Sequence, residues 1–238
     1  MLKIIPDKPA LRITGREKWI VIADLHLGIV HFPDKTVIEN AVSLAKSEKA
    51  DGIIVLGDLK HDIGLRIRER KEVELFKNSL LNLGIEEDKI ILVRGNHDGG
   101  LDDLIRIEPS SGMVLGKYGF FHGHAKPSAE VLQSKFLVFA HIHPAIFISD
   151  TVGGVKRRVW LEGEWLESER EEDKGEKSKG EETKKVKKVL VMPAFNDLCS
   201  SIAVNMDRKI TNRYKLWNFS AVMLDGTRLG RVGDLWSI

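Results

Sequence analysis

Cysteine is nearly absent from this chain of 238 residues: Cys199 stands alone, so no internal disulfide can form. That suits a reducing compartment, and a cytoplasmic location is expected. Long apolar runs are missing too. The opening segment MLKIIPDKPALRITGREKW lacks the apolar core of a signal peptide. No stretch approaches the roughly 20 residues of a membrane span, so a soluble chain with no membrane partner is expected. Net charge is equally scarce. Lys and Arg total 37 against 35 Asp and Glu, leaving +2, so composition gives no pointer to a polyanionic partner. Glutamine occurs only at Gln133, beside 30% charged residues. Depleted amides with enriched charge are a thermophile composition, and a thermophilic source is expected.

What is present is enough apolar material, 42% of the residues, to bury a sizeable core. From residue 18 the chain alternates short apolar runs with longer amphipathic stretches. Trp19–Ala23, Ile53–Leu56 and Ile90–Val93 read as buried strands. Residues 34–49 place Val37, Ile38, Ala41, Val42, Leu44 and Ala45 on one helical face. A second helical pattern over residues 65–83 is closed by Gly84. Strand, helix, strand, helix, strand predicts right-handed crossovers and a parallel sheet covered on both faces. After residue 110 short strands dominate: Met113–Leu115, Phe120–Phe121, Phe136–Ala140, Ala145–Ser149, residues 155–161 and Val186–Met192. Further strands are expected at Ser200–Val204, Ala221–Leu224 and Arg228–Val232. Residues 162–185 are largely Glu, Lys, Ser and Gly, which predicts a charged, mobile loop at a hairpin tip.

Five polar motifs gather where apolar strands end. They are Asp24-Leu25-His26-Leu27-Gly28, Gly57-Asp58-Leu59-Lys60-His61, Gly95-Asn96-His97-Asp98, His122-Gly123-His124 and His141-Ile142-His143-Pro144. Seven of the eight histidines fall in them; His31 is the exception and is expected at the surface or at a helix cap. Each motif alone has a plain structural explanation. Asp-x-His after a strand caps helices, Gly-Asp makes turns, and His-x-His is commonly incidental. Gly-Asn-His-Asp is rarer, arising by chance in on the order of one such chain per thousand. Five together, at the strand ends where α/β sheets bind ligands, point to a metal site. Imidazole mixed with carboxylate suits manganese, iron, zinc or cobalt better than a lone magnesium ion.

In this order the motifs DxH, GDxxH, GNHD, HG and HxH resemble the calcineurin-like metallophosphoesterase superfamily, over residues 20–145. DLHLG and GDLxH look like its nuclease branch. HGH, HIHPA and Met192-Pro193-Ala194-Phe195-Asn196 look more like the small DNA-ligase-associated phosphoesterases and their archaeal relatives. The resemblance implies an α/β fold, a four-layer α/β/β/α sandwich, in a single domain over 1–238. The first sheet would carry the early motifs, and a second, more antiparallel sheet the late histidines. It implies two divalent ions, manganese foremost, with iron, zinc, cobalt or nickel as alternatives. Asp24, His26 and His143 would hold one, Asn96, His122 and His141 the other, and Asp58 would bridge them. A hydroxide shared by the two ions would attack phosphorus in line.

His97 would not be a ligand: the resemblance gives it the catalytic contact with phosphate and the proton for the leaving group. By position, Gly95 is expected to let the backbone turn before Asn96, and Asp98 to orient a histidine. His61 and His124 are expected near substrate or in hydrogen-bonding roles. The protein Ser/Thr phosphatase branch has Asp then Arg where this chain has His61 and Asp62, which argues against that activity. The expected reaction is hydrolysis of a phosphodiester or phosphomonoester, diesters favoured. A nuclease is the sharper alternative, with Lys156-Arg157-Arg158 and the basic stretch 208–215 as phosphate contacts. A non-catalytic metal-binding scaffold is the alternative of another class. It would be expected to lose a ligand or His97, and all eight positions are kept.

Overall fold

The structure, a computed structural model, describes residues 1–30, 35–149, 151–166 and 186–236. His31 and residues 167–185 of the charged run lie outside the described residues. The first sheet has six strands adjacent in chain order: β1 (Leu2–Ile4), β2 (Leu11–Thr14), β3 (Lys18–Ile22), β4 (Gly52–Val55), β5 (Ile90–Val93) and β6 (Arg106–Glu108). Strands β3 to β6 are parallel, and β1 with β2 adds an antiparallel edge. The crossovers are α1 (Thr36–Glu48) and α2 (Ile67–Leu81). The latter ends a little before Gly84, whose φ of 87° closes the turn.

The continuity of the apolar runs has a direct cause in this sheet. Ile20, Ile53 and Ile90 face the helices and pack with Ile38, Leu44, Val73 and Phe76. The alternate residues Val21, Ile54 and Ile91 face the opposite way, into a second apolar layer. Both faces of each strand are therefore dry, each buried side chain contributing about 1.5–3 kcal/mol.

The second sheet has nine strands: β7 (Met113–Leu115), β8 (Tyr118–Phe120), β9 (Phe136–Phe139), β10 (Pro144–Ser149), β11 (Gly154–Leu166), β12 (Val186–Val191), β13 (Ile202–Ala203), β14 (Ser220–Met223) and β15 (Arg228–Arg231). It is mixed. Strand β9 lies parallel to β8 and β12, and β10 to β13, while the other pairs are antiparallel. Phe120, Val138, Trp160 and Met192 fill the layer between the sheets. A third cluster on the far side joins Leu137, Val159 and Val191 to Val131, Leu216 and Phe219. It is covered by two short helices, α3 (Ala129–Gln133) and α4 (Arg208–Arg213), and by irregular chain.

Three apolar clusters thus separate four layers, and the α/β/β/α expectation holds, with a thin last layer. The basic stretch 208–215 proves to contain α4, capped by the Asp207 carboxylate accepting from the Ile210 amide at 3.0 Å. One boundary needs correcting. Strand β11 continues through residues 162–166, because Leu161 to Leu166 pair residue by residue with Val191 to Val186, so these five residues of the expected loop belong to a strand. Among the described residues no helix is long and apolar enough to cross a membrane.

Candidate metal centre

All five motifs meet at one edge. Strands β3, β4 and β5 end just before Asp24, Asp58 and Asn96, and β8 and β9 end just before His122 and His141. The first two loops run side by side: Asp24 N–H donates to Gly57 O at 3.1 Å, His26 N–H to Asp58 O at 2.9 Å and Leu27 N–H to Leu59 O at 2.8 Å. The backbone there is strained. Asp24, His26, Asp58, His141 and His143 all have positive φ, between 41° and 70°. Left-handed backbone costs a non-glycine residue on the order of 1–2 kcal/mol, so the surrounding hydrogen bonds must impose it.

The ring nitrogens are sorted by their partners. His122 Nδ1 donates to the Leu56 carbonyl at 2.8 Å and His143 Nδ1 to the Ser200 carbonyl at 2.8 Å. His97 Nδ1 donates to the His61 carbonyl. A carbonyl only accepts, so these nitrogens carry the proton and each Nε2 is a free lone pair in the neutral ring. Five buried atoms of the site then have no hydrogen-bond partner: Asp24 Oδ1, His26 Nε2, His122 Nε2, His124 Nδ1 and His143 Nε2. Two of them face carboxylate oxygens, His143 Nε2 at 3.1 Å from Asp24 Oδ1 and His122 Nε2 at 3.2 Å from Asp58 Oδ2. Acceptor against acceptor at that range is repulsive unless a proton or a cation lies between. This donor set fits divalent metal ions.

Three donor groups have all their ligand atoms within 4.8 Å of one another: Asp58 with His122 and His141, Asp58 with His26 and His97, and His26 with His143 and Cys199. Asp58 belongs to two of them. His97, expected to stand apart from the ligands, thus sits within their reach, with Nε2 4.0 Å from Asp58 Oδ2. His61 lies beside His26, their Nδ1 atoms 3.4 Å apart, and stacks on His97. His124 packs against the rings of His122 and His141. Asn96 is exposed, between Gly95 and His97, both of which contact Asp58.

Two expected roles change. The buried Asp98 carboxylate meets no histidine in a hydrogen bond; it accepts from the amides of Asp58 at 2.8 Å, Leu59 at 2.8 Å and Gly95 at 2.7 Å. It orients two loops, not a ring. Gly95 is required by crowding, not by a turn: an added Cβ would lie 2.2 Å from Asp58 Oδ1, and its φ is not positive.

Sequence reading missed three contributors. Lys60 is fully buried and its ammonium reaches the carbonyls of Ile63, Gly64, Asp62 and His97, tying the second motif to the third. Asn196 donates from Nδ2 to Leu25 O at 2.8 Å and so props the first motif. Cys199 stands beside His26 and His143. The Lys60 contact with His97 spans 37 residues, the Asn196 contact with Leu25 171 and the Cys199 contact with Asp24 175, ranges that no local spacing can signal.

The site's electrostatics without metal show the same tension. Burial drives His26 and His141 down from 6.5 to about 4. Burial also opposes the charged form of His122, but Asp58, Asp24 and the Leu56 carbonyl outweigh it and raise the ring to about 9. His143 is likewise raised by Asp24 against the effect of burial. The signs fix a pH profile. Buried neutral His26 and His141 refuse protons the unfolded chain accepts, so stability falls as pH drops from 6.5 toward 4. The His122 contribution is complete below 6.5 and is lost as pH rises through about 9. Chelator-treated protein is therefore expected to melt highest near pH 6.5, and, should an ion take up His122 Nε2, added metal to restore the alkaline arm. Thermal melts from pH 4 to 9 with and without chelator check this; a flat profile would refute it.

Residues 18–193 match the family model described as calcineurin-like phosphoesterase. Among solved structures the chain is similar to the Pseudomonas putida nuclease MPE, at 16% identity and a TM-score of 0.64, covering 96% of this chain and 94% of that one. It also matches Yfce, a phosphoesterase from E. coli, at 17% identity and a TM-score of 0.43, covering 90% of this chain and 97% of that one. At such identities the likeness to MPE is one of fold, and the weaker match carries no argument. No curated protein gives a significant match.

Proposed function

Because the chain belongs to the calcineurin-like phosphoesterase family, we propose that it hydrolyses phosphate esters, diesters ahead of monoesters, with two divalent ions. The observation that carries this is the set of buried, partnerless donor atoms on Asp24, His26, His122 and His143 around the Asp58 carboxylate. Asp24, His26 and His143 would hold one ion, Asn96, His122 and His141 the other, with Asp58 shared. Bound ions would supply the positive charge that activates a water and stabilises charge developing on the phosphate.

The protein's own part is positioning and proton transfer. Leu56, Ser200 and His61 carbonyls fix three ring tautomers. Asp58 Oδ1 accepts the His97 N–H at 2.9 Å, so the same carboxylate that neighbours the donor groups places the catalytic backbone. His97 Nδ1–H stays on the His61 carbonyl, so giving a proton to the leaving oxygen from Nε2 requires the imidazolium form.

The nuclease alternative gains no cationic cleft. Lys156, Arg157 and Arg158 line a cavity of about 390 Å³ with Cys199, but Asp7, Asp197 and Asp225 line it too, and Arg158 pairs with Asp197.

The test is manganese-dependent hydrolysis of bis-p-nitrophenyl phosphate beside p-nitrophenyl phosphate. Faster turnover of the diester, abolished by chelator, is expected. Equal rates with and without chelator, or no turnover of either compound with two ions bound, would sink the proposal.

A further inference from the structure

We propose that Cys199 is an additional donor to the ion held by Asp24, His26 and His143, and that its thiolate turns this half of the site toward softer ions such as zinc. The inference rests on the two-ion reading above.

Three observations support it. The Cys199 Sγ, a His26 nitrogen and a His143 nitrogen lie within 4.8 Å of one another. Next to them are the partnerless Asp24 Oδ1, on a fully buried side chain, and His26 Nε2, on a residue only 5% exposed. Both atoms need a cation more than they need a thiol neighbour.

The loop that carries Cys199 is also fastened to the ligands on each side. Phe195 N–H donates to Ala23 O at 2.8 Å and the Asn196 side chain to Leu25 O at 2.8 Å. On the other flank the Ser200 carbonyl accepts from His143 Nδ1 at 2.8 Å, and Ile202 N–H donates to His143 O at 3.0 Å. Between these anchors Cys199 N–H bonds Asn196 O at 3.3 Å, and Sγ lies 3.5 Å from the Asp24 carbonyl. The thiol is thus delivered to one place.

A cysteine serving only as a small apolar filler would sit in a core. Cys199 is part of none of the three apolar clusters described. On coordination the S–H proton passes to solvent, sulfur donates a lone pair to the ion, and no oxidation state changes. Thiolate favours zinc, whereas carboxylate and imidazole alone accommodate manganese.

The test uses the full chain loaded with cobalt(II), whose thiolate complexes show an intense near-ultraviolet charge-transfer band that nitrogen and oxygen ligands do not give. Cys199 is the only cysteine, so the wild-type spectrum alone reports on it, even if a variant misfolds. The band is expected in the wild type and absent in Cys199→Ser with cobalt still bound. The preference for zinc over manganese, read by competition, is expected to fall about tenfold in the variant. Two cobalt ions bound without the band would overturn the proposal and leave the two-ion reading standing. Failure to retain cobalt at all would remove both.

Discussion

Replacing His97 with alanine is expected to cut phosphodiester turnover by about 10²–10⁴-fold while the chain still binds two ions. The His97 side chain is 25% exposed, whereas the Asp58 side chain beside it is 3% exposed, so its ring is on the side from which substrate must arrive. Its backbone N–H holds Asp58 Oδ1 at 2.9 Å, and alanine keeps that bond. The loss should therefore fall on proton transfer and phosphate contact, not on the architecture of Asp58. The defect has a signature. A nitrophenolate leaves without help, so the variant should lose less on nitrophenyl esters than on an alkyl diester. Rates on both substrates, with metal content measured in parallel, check it. Loss of an ion together with activity would instead make His97 a ligand, a role its grouping with His26 and Asp58 allows.

Gly57→Ala is expected to be the most damaging single methyl group in the site. Gly57 has a φ of 83°, and a Cβ there would lie 2.1 Å from His122 Nδ1 and 2.3 Å from its Cγ. The His122 ring is held through its Leu56 bond and is 0% exposed, so it has nowhere to retreat. Left-handed strain of about 1–2 kcal/mol and overpacking of about 1–3 kcal/mol add in one direction. For a chain of this size that lowers the melting temperature by on the order of 10 °C. Displacement of His122 should also weaken binding of one ion more than the other. A melt within a degree or two of wild type, with two ions bound, would show that the loop yields where this packing says it cannot.

Much of this molecule was legible because physics repeats in the sequence. Strands β3, β4 and β5 are dry on both faces, so they announce themselves as unbroken apolar runs. Three motifs follow apolar strands of the first sheet and two follow strands of the second, all at one end of the sandwich, so the apolar runs showed where the polar clusters would gather. Strand β6 gave no such signal: it is a three-residue edge in which Ile107 is flanked by Arg106 and Glu108. Strands β1 and β2 were missed for a similar reason, being short and separated by Pro6 and Asp7. The buried Lys60 read as a polar loop residue, since a side chain satisfied by backbone carbonyls leaves no pattern of residue types. Asp98 was assigned a histidine because carboxylates near metal sites commonly have one; here the demand of three converging amides takes both its oxygens.

The fastening of residues 195–202 to the first motif and to His143 has a consequence for how the protein comes into being. His141 N–H reaches Asp24 across 117 residues, and Cys199 reaches the same residue across 175. A nascent chain that has emerged as far as His143 carries every histidine of the motifs, yet neither prop for Asp24 and His26 nor the Ser200 carbonyl that sets the His143 tautomer. Contacts of such long range close late. The arrangement around Asp24, His26 and His143 is therefore expected to stay incomplete until residues 195–202 have docked, so a fragment ending at His143 should lack a fixed His143 ring, which NMR of its imidazole signals would check.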